Sequence, residues 1–144
     1  MRVFVDTNVF IYYLDTTDAK KHAAAKLWLA ELWQNRQGII SYQVLQEFYS
    51  VGTQKWPALG AEIRAKIEDL FDWHPVVINR QIIEDSWEIQ GRYRISFWDS
   101  LIVAAAKAAS CQYLLTEDLQ AGQDLDGVVV VNPFRSGSSA LSTA

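Results

Sequence analysis

Four acidic residues carry the chemistry that the sequence can offer: Asp6, Glu47, Asp99 and Asp118. Carboxylates gathered into one cleft repel each other, and some then hold protons. Divalent cations remove that repulsion. Mg2+ and Mn2+ prefer oxygen ligands, and Mg2+ keeps several waters of its own. An all-oxygen site of this kind suits phosphodiester hydrolysis, in which the ion activates a water and stabilises charge on the phosphorus-bound oxygens. Other metal chemistry is excluded by composition. Two histidines, His22 and His74, and one cysteine, Cys111, are too few for a multi-histidine or cysteine-rich zinc centre.

The elements that must position these acids are legible as alternating apolar runs and helical stretches. Val3-Phe4-Val5 is a short buried strand that stops at Asp6-Thr7-Asn8, and a brief helix follows through Leu14. Residues 19–34 are rich in helix formers, with Ala24, Leu27, Trp28 and Leu32 as the apolar stripe. Further strands are predicted at 38–41, 75–78, 113–116 and 128–131, and further helices at 42–53, 61–71, 80–93 and 96–109. The last helix is apolar almost all round, so it should be central and buried. Short apolar strands alternating with helices predict an α/β fold: a mostly parallel sheet of about five short strands with helices on both faces. Ligands of such sheets bind outside the carboxyl ends of the strands. Asp6 follows the first strand, and Asp118 follows the strand at 113–116. Asp99 opens the buried helix, and Glu47 lies on the helix after the second strand. All four are expected on one rim.

Each acid also has an ordinary structural role. Asp6 can cap the helix after it. Ser96 to Asp99 fits the Ser-x-x-acid capping box. Asp118 suits a turn. Glu47 is harder to dismiss: it lies three residues after Val44 and four before Val51, on the edge of an apolar stripe, where an unpaired charge is costly.

Size and charge set further limits. The chain has 144 residues, 50% of them hydrophobic, and a net charge of -4. That is one domain's length and ordinary globular composition. The acidic balance excludes a basic, nonspecific nucleic-acid coat, but not a nuclease whose bound ions supply local positive charge. The longest apolar run, 101–109, contains Lys107 and is far short of a membrane span. A cytoplasmic location without membrane attachment is expected. Residues 135–144 read as a low-complexity, disordered tail.

The segments Val3-Phe4-Val5-Asp6-Thr7-Asn8-Val9, Ser41-Tyr42-Gln43-Val44-Leu45-Gln46-Glu47-Phe48-Tyr49, Ser96-Phe97-Trp98-Asp99-Ser100-Leu101-Ile102 and Leu114-Leu115-Thr116-Glu117-Asp118-Leu119 resemble the PIN-domain family. They are most similar to its toxin ribonucleases of the VapC type, from type II toxin–antitoxin pairs. Val131-Asn132-Pro133-Phe134 resembles the family's ending, so the likeness spans 1–134. It implies a three-layer PIN-like fold and metal-dependent endonucleolytic cleavage of RNA by metal-activated water, with Mg2+ or Mn2+ as cofactor. The family's acids fall on Asp6, Glu47, Asp99 and Asp118. Asp6 and Asp99 are then the firmest ligands, and Glu47 and Asp118 complete the site directly or through water. Thr116 matches a hydroxyl near the metal, and Asn8 orients Asp6 or touches substrate. A cognate antitoxin and a homodimer are the implied partners.

Other features are weaker. Arg92-Tyr93-Arg94 is either a solvated loop or an RNA phosphate clamp with a stacking ring. Lys20 and Lys21 read as a solvated helix start. Most of the six tryptophans should be core, although Trp28, Leu32 and Trp33 suit an apolar patch. Two other functions stay open. A phosphatase of the haloacid-dehalogenase type also places an Asp after its first strand, but it needs a second Asp where Asn8 stands. A PIN module that binds RNA or protein without cutting is the other.

Overall fold

A computed structural model describes residues 1–141 of the chain. Its sheet has five strands in the order β2-β1-β3-β5-β4: β1 (Val3–Val5), β2 (Gly38–Ile39), β3 (Tyr113–Leu115), β4 (Asp124–Leu125) and β5 (Val128–Val131). β1, β2, β3 and β5 run parallel, and β4 is antiparallel to β5. Six α-helices flank it: α1 (Thr7–Leu14), α2 (Ala19–Gln34), α3 (Tyr42–Lys55), α4 (Gly60–Leu70), α5 (Arg80–Tyr93) and α6 (Phe97–Ala108).

The two central strands are the ones that carry the site. β1 pairs with β3 in the register Val3↔Tyr113, Phe4↔Leu114 and Val5↔Leu115. All three β1 residues are fully buried, as are Leu114 and Leu115. That is what a parallel sheet covered on its faces requires, and it explains the unbroken apolar runs. α6 buries every residue from Ser100 to Ala106, so the helix that begins beside Asp99 is held along most of its length.

The fifth strand is not the expected one. Residues 75–78 make only an isolated parallel bridge, Val76 with Ser41. Val76 donates to the Ile40 carbonyl at 2.9 Å and accepts from the Tyr42 N–H at 3.1 Å. Pro75 has no N–H to offer, and His74 sits in the left-handed region with φ 50, so pairing stays at one residue. β4, short and polar at Asp124, takes the place in the count. It is tied by the turn at Gly127, whose φ of 95 needs a glycine.

The stripe of α2 also shifts. Ala25, Trp28, Leu29 and Leu32 are buried, while Leu27 is 60% exposed. The Trp28 indole sets this phase by donating to the carbonyls of Pro133 and Ser136, both at 3.1 Å. Trp28 and Leu32 therefore belong to the core, and only Trp33 of that trio reaches the surface. Of the six tryptophans only Trp28 and Trp73 are buried, and Trp87 and Trp98 are largely exposed. The tail forms a short turn at Ser138–Ala140, with Leu141 against the core. The rest of the segment expected to be disordered, 142–144, lies outside the described residues.

Candidate metal centre

Where β1 ends, Asp6 does two jobs. As N-cap of α1 it accepts from the Thr7 N–H on Oδ1 at 2.7 Å. Its Oδ2 accepts from the Thr116 hydroxyl at 2.8 Å. The register of β1 and β3 brings these two residues level, and the Asp6 N–H donates to the Leu115 carbonyl at 3.1 Å. Thr116 Oγ1 in turn accepts from the Asn8 amide and from the Asp118 N–H, both at 3.1 Å. One hydroxyl thus spends its single donor and both lone pairs on the site. The same Asn8 amide donates to Asp118 Oδ2 at 3.1 Å.

Asp99 enters from the first turn of α6, its N–H donating to Ser96 Oγ at 3.0 Å. The cap at Ser96 fixes where the helix starts and so where Asp99 stands. Asp6, Asp99 and Asp118 each present a carboxylate oxygen within 4.8 Å of the others. Glu47, on α3, lies outside this triad but feels it: its carboxyl is raised by burial first, then by the charges of Asp99 and Asp118, with the Gln43 side chain opposing.

With only the chain's own charges, the electrostatics of the site are unfavourable. Burial pushes the Asp6 carboxyl up to about 7, against the hydrogen bonds from Thr116 and Thr7, with the charges of Asp118 and Glu47 adding to the rise. Asp99 is raised as well, by burial and then by Asp118, with Ser96 opposing. Among the described residues no Lys or Arg pairs with any of the four. Glu47 Oε1, Asn8 Oδ1 and Gln43 Oε1 are buried acceptors without a hydrogen-bond partner. Oxygen donors, unneutralised charge and orphaned acceptors together fit a divalent cation with its waters.

The arginines expected as substrate contacts are not part of this constellation. Arg92 pairs with Asp126 at 2.5 Å, in the β4–β5 turn. β5 begins there, at the rim opposite the one where β1 and β3 end. Arg94 is an exposed, left-handed cap of α5. Two contributors were not singled out as site residues from sequence. Gln43 is buried one helical turn before Glu47 and donates to the Trp98 carbonyl at 3.4 Å; its i,i+4 spacing from Glu47 is the signal that marks it. Lys21, expected to be solvated, bonds Glu117 at 2.8 Å, beside Asp118; nothing in its spacing announces that.

An α/β fold with an acidic triad at the carboxyl edge of its central strands defines the class. The chain belongs to the PIN domain family, whose model matches residues 3–123. No curated protein matches the sequence. Solved structures match over most of their length. A toxin–antitoxin complex from Klebsiella pneumoniae aligns at TM-score 0.64 and 23% identity, covering 92% of this chain and 98% of that one. VapC20 of Mycobacterium tuberculosis, a toxin that cleaves the sarcin–ricin loop, aligns at 0.57 and 22%, covering 81% and 89%. VapBC2 of Rickettsia felis, bound to a DNA fragment from its promoter, aligns at 0.61 and 20%, covering 90% and 97%.

Proposed function

We propose that the protein is a divalent-metal-dependent endoribonuclease and the toxin of a type II toxin–antitoxin pair, acting in the cytoplasm. The observation that carries this reading is the triad of Asp6, Asp99 and Asp118, with oxygens within 4.8 Å of one another and, among the described residues, no Lys or Arg paired with them. Family membership supports nuclease chemistry. The toxins among the structural neighbours, one named for cleaving the sarcin–ricin loop and two solved in toxin–antitoxin assemblies, support an RNA substrate and an antitoxin partner.

Asp6, Asp99 and Asp118 would hold Mg2+ or Mn2+, with Glu47 completing the site directly or through water. Bound there, the ion supplies Lewis-acid polarisation of the phosphoryl group and a lowered pKa for water. The chain's own residues prepare the place. Thr116 and Thr7 aim the two oxygens of Asp6. Asn8 holds Asp118 toward Thr116. Glu47, half-buried beside the triad and feeling the charges of Asp99 and Asp118, would be the carboxylate to accept the proton of the attacking water. Arg94, an exposed cap of α5 outside the triad, would serve only as an outer contact for a substrate phosphate, and Arg92 is engaged by Asp126. The protein acts as a homodimer in this reading. Asn8 in place of a second acid disfavours a phosphatase, because its amide donates to Asp118 and cannot relay a proton.

The test is cleavage of total RNA by the purified protein with Mn2+, with EDTA, and by Asp6→Asn, with the new RNA ends mapped. Cutting that needs the ion and Asp6 is expected. Undiminished cutting in EDTA, or by Asp6→Asn, overturns the reading.

A further inference from the structure

The triad holds one exposed member, Asp118, on a segment of bends that follows β3 and belongs to no helix or strand. Asn8 and Thr116 hold that segment from the side of the triad. A second hold comes from outside it. Lys21, in the first turn of α2, places Nζ 2.8 Å from Glu117 Oε2 and 3.4 Å from the Tyr12 hydroxyl. The same ammonium stands 4.7 Å from the Tyr12 ring centre and 5.2 Å from that of Phe134, and these rings meet edge-on at 4.9 Å. Lys21 is therefore gripped by an ion pair, a hydrogen bond and two aromatic faces. Its backbone is fixed by the Asp18 cap at 3.1 Å. No such grip is needed for a solvated helix start.

We infer that Lys21 is a positioning residue of the metal site: it anchors Glu117 away from the triad and so sets the 116–118 segment that presents Asp118 to Asp6 and Asp99. The inference rests on the metal-site reading above. Charge and position make opposite demands here, and that makes it testable. An ammonium beside an acidic cluster repels an incoming cation. If its charge were its whole effect, removing it would tighten metal binding. If it positions Asp118, removing it loosens metal binding.

The experiment is calorimetric titration of the full chain with Mn2+ alone, so no turnover is required. Lys21→Met keeps the apolar stem between Tyr12 and Phe134 and deletes the ion pair; Lys21→Arg keeps the charge and the pair. Near-UV circular dichroism reports whether each variant keeps its packing, and Lys21→Gln replaces Lys21→Met if the latter does not fold. Weakening of Mn2+ binding by about tenfold in Lys21→Met is expected, the size typical of lost ligand support, with Lys21→Arg close to the parent. Binding by Lys21→Met equal to or tighter than the parent's overturns the inference while leaving the metal site standing, provided Asp6→Asn abolishes binding. Parent protein that takes up no Mn2+ overturns the metal site and this inference together.

Discussion

The Thr116 hydroxyl donates to Asp6 Oδ2 at 2.8 Å, between two buried residues 110 positions apart. It is a buried bond to a carboxylate, and it holds down a pKa that burial drives up. Thr116→Val deletes the donor and keeps the shape. The Asp6 carboxyl should then rise above about 7, by roughly one pH unit if the bond contributes what charge-assisted bonds usually do. Mn2+ titrations at several pH values check this: the midpoint of binding should move to higher pH in Thr116→Val and stay put in Thr116→Ser.

Asp6 itself makes the metal-free fold pH-sensitive. Its folded-state carboxyl lies at about 7, above the ordinary value of 3.8. A raised pKa contributes stability below the unfolded value and loses it as pH climbs through the folded one. The metal-free protein should therefore melt lower at pH 8 than at pH 5. Asp6→Asn removes that penalty and should be more stable than the parent in EDTA by roughly 4 kcal/mol at pH 8 and by roughly 1–2 kcal/mol at pH 5, the difference closing only below the ordinary carboxylate value of 3.8. Thermal melts at the two pH values decide it, and Mn2+ should raise the melting point of the parent only.

Gly38 opens β2 directly beneath the Trp73 ring. A Cβ there would fall inside the van der Waals surface of three carbons at the far edge of the ring, so the indole must shift to admit it. Gly38→Ala should cost about 1–3 kcal/mol as an overpacked core does. Urea denaturation measures it; an unchanged midpoint would show that Trp73 gives way.

Asp126 gathers Tyr93, Arg92 and Lys107 on one carboxylate, with contacts of 2.7, 2.5 and 3.1 Å. The Tyr93 bond first, then those from Arg92 and Lys107, hold its carboxyl down at about 2. The sign is opposite to that of Asp6: this stability is present above pH 4 and is lost as pH falls through the folded value. Asp126→Asn should cost about 1 kcal/mol at pH 7, given its contact with solvent, and leave Mn2+ affinity unchanged because it lies on the far rim. Paired melts and metal titrations test both halves.

Much of this architecture was readable beforehand, for physical reasons. Val3-Phe4-Val5 and Leu114-Leu115 are apolar on both faces, so their burial as central strands follows from composition. Ser96 and Asp99 announce the start of α6 because a cap is a local, side-chain-to-backbone event, and Asp6 and Asp118 converge because β1 and β3 end on one rim, where α6 also begins. Glu47 is expected on the same rim from its place on the helix after the second strand, but the fold sets it beside the triad, since a helix residue's reach depends on how α3 packs. What escaped were relations that only tertiary contact decides: the pairing of β4 in place of 75–78, the phase of α2 set by the Trp28 indole, and the engagement of Arg92 with Asp126 and of Lys21 with Glu117.

The triad draws on residues 6, 99 and 118, contributed by the opening strand, the last long helix and the loop after β3. During synthesis the ribosome releases the first of these long before the others. A chain interrupted ahead of Asp99 carries Asp6 and Glu47 and nothing to close them into a cluster. Any chemistry that depends on the cluster is therefore withheld from a chain that ends before Asp118.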